Sequence, residues 1–232
     1  MKILILVLSS ANAPYKQLFE VSQQTWDSYN VPGIETIYYF GKNGIYQNNS
    51  IVIDLKENYT NIALKTKTAL EWCLENCEFD YVFRANASSF VYKENMFKHY
   101  EQLPKSVFQG LVAPYYDIGK FMWGVGYTIS RDYVETIVNA EWDYSLMDDV
   151  SISFAAQSAG IELTGGHKLL TIDETNTGKY QILNYGIQVE NKIIADISEI
   201  DMSEHFHYRV KQDLNRHKDV DIMKRLFVNI KK

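Results

Sequence analysis

The sequence predicts an α/β fold with a mostly parallel central sheet and flanking helices. Three observations carry that expectation. Strand-like and helix-like segments alternate along most of the chain, the order that βαβ units produce. The opening apolar run, Ile3–Leu8, has no polar alternation, as in a strand covered on both faces. Strand-like runs then end in polar residues, which in open α/β sheets line the ligand site at the carboxyl edge.

Residues 3–8 give the first strand. Residues 16–29 place Leu18, Phe19, Val21 and Trp26 at helical spacing and predict a helix. Residues 34–40 are β-branched and aromatic, a strand closed by Gly41-Lys42-Asn43-Gly44, and residues 50–55 read as a short second one. Residues 61–77 space Ala63, Leu64, Ala69, Leu70, Trp72, Cys73 and Leu74 as a buried helix. Strands follow at 80–84, 105–113, 124–130 and 169–172, and helices at 94–103, 131–140 and 148–159. The last of these helices opens with Asp148 and Asp149, where carboxylates favour the helix dipole. Residues 205–232 are basic and then amphipathic, with Val220, Ile222, Met223, Leu226, Phe227 and Ile230 on one helical face.

Composition narrows the function. The chain has 232 residues, 46% of them hydrophobic, enough for a real core and one large domain or a domain with an appendage. Its 23 basic and 29 acidic residues give a net charge of −6, which argues against a nucleic-acid partner held by general electrostatics. Aromatic residues make up 14%, and they suit sugar faces and core filling alike. Two cysteines, Cys73 and Cys77, exclude a disulfide scaffold and read as small buried hydrophobes. The first apolar run is shorter than the roughly seven residues of a signal-peptide core, and no run approaches the roughly 18 of a membrane span. The expectation is a soluble, cytoplasmic chain with no membrane span. Frequent Asn, Ile, Lys and Tyr fit an AT-rich genome, bacterial or of a large DNA virus. No glycine-rich phosphate loop of either common pattern occurs.

Several segments, in order, carry a resemblance. Thr25-Trp26 follows the first helix. The segment from Glu57 through Asn58-Tyr59-Thr60-Asn61 to Lys65-Thr66 matches a D-S-Y-x-N-L-T-L-K-T pattern, with Trp72 and Cys77 at fitting distances. Tyr81-Val82-Phe83-Arg84 leads into the place of an acidic triplet. Trp123-Gly124-Val125-Gly126-Tyr127 matches S-G-x-G-Y, Met147-Asp148-Asp149-Val150 matches E-D-V, and His167-Lys168 closes the series. Together, over residues 25–168, these resemble the beta-1,3-galactosyltransferase and Fringe-like glycosyltransferases. The resemblance implies the GT-A fold, a Rossmann-like nucleotide-diphospho-sugar transferase architecture. It sets a catalytic domain at residues 1–204, with 205–232 as a basic segment and helix packed on the same domain. It also implies a UDP-sugar donor and a glycan acceptor.

One departure stands out. The family's Asp-x-Asp motif, whose carboxylates hold Mn²⁺ against the donor diphosphate, is degenerate here: Asn86-Ala87-Ser88 occupy its place. Asn86 and Ser88 offer only neutral oxygens to a hard cation, so the expectation is weak or no metal dependence.

The resemblance then assigns roles. An inverting transfer needs a base for the acceptor hydroxyl and stabilisation of the leaving diphosphate. Asp149, matching the Asp of E-D-V, or its neighbour Asp148, is the candidate base; helix capping is the alternative for the pair. Lys65 and Arg84 are candidates for the diphosphate, as are His207, Arg209 and Lys211, which with His205 alternate along one side of an extended run; a solvated basic face is the alternative. Ser9 and Ser10 follow the first strand, where the nucleotide base is expected. Asp54 reads either as a uridine contact or as a turn residue. Trp123, Gly124 and Tyr115 are candidates for a substrate wall, with Tyr116 and Asp117 beside them, and Trp123 serves equally as core filler. The rival to a transferase is a non-catalytic glycan- or nucleotide-binding module on a degenerated transferase fold.

Overall fold

The computed structural model describes residues 1–45, 47, 49–116, 119–175, 177–185, 189–211 and 215–231; Asp117 lies outside them. In chain order the strands are β1 (Ile3–Leu8), β2 (Ile34–Phe40), β3 (Ser50–Val52), β4 (Tyr81–Asn86), β5 (Ser89–Val91), β6 (Phe108–Tyr115), β7 (Gly119–Ser130), β8 (Leu169–Glu174), β9 (Tyr180–Tyr185), β10 (Val189–Ile194) and β11 (His207–Val210). The helices are α1 (Tyr15–Gln24), α2 (Ile62–Asn76), α3 (Lys93–Tyr100), α4 (Arg131–Val138), α5 (Asp148–Ser158) and α6 (His217–Ile230).

The chain divides into two compact units. The first comprises Met1–Ala11, Gly33–Asn86 and Leu103–Gly166. Its sheet has the order β3-β2-β1-β4-β7-β6. β3, β2, β1 and β4 run parallel, β7 is antiparallel to its neighbour β4, and β6 at the edge is antiparallel to β7. β1 is buried on both faces, as its unbroken apolar run requires. On one face Leu4, Leu6, Ile37, Tyr39, Val82, Tyr127 and Ile129 share a core with Ala69, Leu70 and Cys73 of α2, Val134 and Ile137 of α4, and Ile152 and Ala156 of α5. Arg84, two residues beyond Val82, continues that face toward the carboxyl ends of the strands.

The second unit comprises Asn12–Pro32, Ala87–Gln102 and His167–Lys232. Its sheet, β10-β9-β8-β11-β5, is antiparallel except for the β8–β11 pair. The apolar stripe expected at the end of the chain is present: α6 buries Ile222, Met223 and Leu226. Residues 205–232, expected to pack on a domain of residues 1–204, fall in this unit with three earlier stretches of chain.

Several predicted bounds change. The first helix stops at Gln24 and not at residue 29, because Thr25 leaves the helical backbone (φ −118°, ψ −108°) and its N–H turns to the Ser22 carbonyl at 3.2 Å. The 50–55 strand ends at Val52, where the Leu55 N–H closes a tight turn onto the Ile53 carbonyl at 2.7 Å. The strand read from Gly124 begins at Gly119 and pairs with β6 across a register shift between Gly110 and Val112.

Candidate active site at the carboxyl edge of the parallel strands

In the first unit β1, β2 and β4 end side by side, and Leu8 pairs with both Tyr39 and Asn86. Arg84, on β4, is fully buried at 1% exposure. Its Nη2 donates to Asp148 Oδ2 at 2.5 Å, its Nη1 to Asn86 Oδ1 at 2.9 Å and the Gly124 carbonyl at 2.6 Å, and its Nε to the Tyr39 hydroxyl at 3.3 Å. Burial works against this charge, and the combined pull of Asp148, Tyr39 and Tyr127 outweighs it, so the guanidinium is held protonated above its ordinary range.

The acidic pair opens α5, whose N-cap is Met147, with no side-chain cap. The two carboxylates have different surroundings. Asp148 is buried, paired with Arg84 and reached by the Thr66 hydroxyl at 3.4 Å. Asp149 is half-buried; its Oδ2 accepts the Gly124 N–H at 2.9 Å and its Oδ1 the Val150 N–H at 3.0 Å. Burial and the adjacent Asp148 raise the Asp149 carboxyl above the usual range, against the Gly124 N–H and Arg84. A carboxylate with raised proton affinity that is not enclosed is chemically suited to take a proton from a hydroxyl. Gly124 is required here by close approach: a Cβ on it would stand 2.8 Å from Asp149 Oδ2.

Lys65, on α2, is also buried. Its ammonium donates to Glu57 at 2.9 Å and to the Ser9 carbonyl at 3.2 Å, and lies 5.8 Å from the centre of the Tyr39 ring. Burial pushes it below the ordinary lysine range although Glu57 opposes this. The Tyr39 hydroxyl lies 3.0 Å from Thr66 Oγ1, linking the lysine and arginine clusters.

The structure therefore brings Ser9, Lys65, Arg84, Asn86, Gly124, Asp148 and Asp149 into one network, with Ser10 half-buried next to Ser9. Glu57, Tyr39 and Thr66 belong to it and were not singled out as site residues. Glu57 and Thr66 lie in the same family-like segment as Lys65, which was the available signal. Both Lys65 and Arg84, expected to face a diphosphate, are engaged inside the fold. Asp54 stays apart, exposed and paired with Lys42 at 3.0 Å. Tyr115 packs edge-on against Phe121 and Phe154, each with ring centres 5.7 Å apart, while Trp123 is exposed beside Gly124.

Ser88, His207, Arg209 and Lys211 belong to the second unit. Ser88 is buried, and its carbonyl accepts the Val210 N–H at 2.9 Å. His207, expected at the diphosphate or else on a solvated basic face, is fully buried on an interior strand of its sheet, 2.9 Å from His167 Nε2 and 2.9 Å from the Ser89 hydroxyl. Arg209 is half-buried and Lys211 exposed.

The side chains at the place of the Mn²⁺ site that the resemblance implies do not fit that ion. Asn86 Oδ1 already accepts from Arg84, so a divalent cation there would face a guanidinium. Among the described residues no three His, Cys, Asp or Glu side chains are grouped to hold a metal, and no helix is long and apolar enough to cross a membrane.

Fold and site together define an α/β protein with a charged cluster at the carboxyl edge of a parallel sheet. No family model and no curated protein matches the sequence. Among solved structures, the chain is similar to a glycosyltransferase involved in the glycosylation of the major capsid of PBCV-1, with TM-score 0.58 and 8% identity, over 97% of this chain and 99% of that one. The chain shares that fold over essentially its whole length. Lower similarity, TM-score 0.44 at 13% identity over 71% of this chain, relates it to the bifunctional IspDF from Campylobacter jejuni, of which it spans about half, 49%. For CMP:2-keto-3-deoxy-manno-octonic acid synthetase complexed with CTP the TM-score is 0.43 at 12% identity, over 71% of this chain and 89% of that one.

Proposed function

We propose that this chain is an inverting glycosyltransferase that moves a sugar from a UDP-sugar donor to a glycan hydroxyl, with Asp149 as general base and weak or no metal dependence. The observation that carries this reading is the division of labour in the acidic pair. Arg84 neutralises Asp148 in the interior, and Asp149 is left half-buried with raised proton affinity. In the reaction Asp149 takes the acceptor proton, the acceptor oxygen bonds to the anomeric carbon from the face opposite the diphosphate, and the bond to the diphosphate breaks. Exposed Trp123, next to Gly124, offers a stacking face to a sugar. The full-length likeness to a glycosyltransferase fold supports the same reading. Assignment to the GT-A group and to the Fringe-like family is part of the proposal and rests on the motif series.

One observation favours the rival, a non-catalytic nucleotide- or glycan-binding module: both first-unit cations expected at a diphosphate, Lys65 and Arg84, are engaged internally. Calorimetric titration with UDP and a panel of UDP-sugars, with Mn²⁺ and with chelator, separates the readings when joined to a transfer assay. Asp149→Asn is expected to keep donor binding and to lose transfer by at least about 100-fold. Donor binding without transfer or slow donor hydrolysis in the unaltered protein would support the binding module, and no binding under any condition would remove both.

A further inference from the structure

The degenerate motif position has a defined partner set in the first unit. Asn86 Oδ1 accepts from Arg84 Nη1 at 2.9 Å, and Asn86 Nδ2 donates to the Gly124 carbonyl at 2.6 Å. Arg84 Nη1 reaches the same carbonyl at 2.6 Å. The other side of that residue, the Gly124 N–H, donates to Asp149 Oδ2 at 2.9 Å. Two donors thus hold the carbonyl of Gly124 while its amide holds Asp149. The amide orientation of Asn86 follows from its neighbours, because a guanidinium needs an acceptor and a carbonyl needs a donor.

We infer that Asn86 is a positioning residue which, with Arg84, fixes the Gly124 backbone and through it Asp149, and that it does not serve as a weakened metal ligand. The inference rests on Asp149 being the working carboxylate of the proposed reaction. An Asp-x-Asp carboxylate at this position is incompatible with the arrangement. Aspartate has the shape of asparagine but no N–H. Asn86→Asp places a carboxylate oxygen where an amide nitrogen now lies 2.6 Å from the Gly124 oxygen, and acceptor then faces acceptor. The new charge also competes with Asp148 for Arg84. Restoring the family's residue should therefore damage the site and not rebuild a metal centre.

Two measurements test this. In the transfer assay, Asn86→Asp is expected to lower kcat by about 10- to 100-fold with donor KM within about 3-fold of the unaltered protein, because misplacing a reacting group by about an ångström costs up to about 100-fold. Added Mn²⁺ is expected to restore nothing. Turnover that reaches or exceeds the unaltered level on adding Mn²⁺ would overturn the inference. The second measurement needs no activity. With glycine-selective ¹⁵N labelling of the 12 glycines, the Gly124 amide resonance is expected to move with pH as Asp149 ionises, and Asp149→Asn identifies it by abolishing the movement. In Asn86→Ala, which removes one of the two donors on the Gly124 carbonyl without adding charge, that movement is expected to shrink at least two-fold. An undiminished response in Asn86→Ala would overturn the inference, including where Asn86→Asp does not fold. Absence of transfer by the unaltered protein would count against the proposed reaction alone, and the amide titration would still decide the clamp.

Discussion

Replacing Arg84 by methionine removes the cation from a buried carboxylate while keeping most of the side-chain volume. Asp148 is then left in the interior without its partner, and breaking a buried pair by removing one member costs about 3–5 kcal/mol. A loss of about 4 kcal/mol is therefore expected at pH 7, or roughly 10 °C in melting temperature for a chain of this length. The double variant Arg84→Met/Asp148→Asn removes both charges and is expected to regain most of the loss, since replacing a buried pair by uncharged groups is often neutral. Urea melts of the three proteins at pH 7 provide the assay. Equal losses in the single and double variants would refute the argument that Arg84 is there to neutralise Asp148.

Three further outcomes are expected. Gly124→Ala places a Cβ 2.8 Å from Asp149 Oδ2; kcat in the transfer assay should fall about 10-fold or more with little change in donor KM, and an unaltered kcat would show that Asp149 tolerates displacement. The buried pair His167 and His207 should make stability acid-sensitive. Burial holds His167 down at about 3 and His207 well below the usual histidine range, assisted for His167 by His99 and His205 and for His207 by His167 and Arg209. Below about pH 6.5 the unfolded chain binds protons that the folded chain does not, so stability is full above that value and is lost as pH falls toward 3; urea midpoints that stay flat from pH 7 to pH 4.5 would contradict this. Glu57→Gln leaves the Lys65 ammonium buried against a neutral partner and should cost about 1–3 kcal/mol in a urea melt, whereas a cost below about 0.3 kcal/mol would show that the Ser9 carbonyl alone satisfies it.

Much of the first unit was legible in the sequence. Ile3–Leu8 is a continuous apolar run and Ile34–Phe40 ends in one, from Ile37 to Phe40, and such runs are what a doubly covered parallel strand needs. The second sheet was not legible as a sheet. β5 has three residues, too short for any periodicity. β9 carries a period-two signal in Tyr180 and Ile182, both buried, and pairs with its chain neighbours β8 and β10, but the sheet is completed by β11 and β5, which are distant in sequence. β11 was misread for a physical reason. His205, His207, Arg209 and Lys211 alternate as a basic face would, yet β11 lies between β8 and β5, and both histidines are buried with partners: His205 Nε2 lies 2.9 Å from the side-chain oxygen Oδ1 of Asn184 and His207 bonds Ser89. Histidine is neutral when buried and hydrogen-bonded, so a count of basic letters overstates the charge. The same limit governs the site. Asp149 and Gly124 were findable from local motifs. That Arg84 would be engaged by Asp148, and Lys65 by Glu57, depends on contacts between distant segments that no spacing rule encodes.

Inverting transfer with Asp149 as base is tested by following the anomeric proton of a UDP-sugar donor by NMR with the unaltered protein and with Asp149→Asn, each with a glycan acceptor. Donor consumption by the unaltered protein, a product of opposite anomeric configuration, and loss of both in Asp149→Asn is the predicted result. A retained configuration, or undiminished transfer by Asp149→Asn, would contradict it.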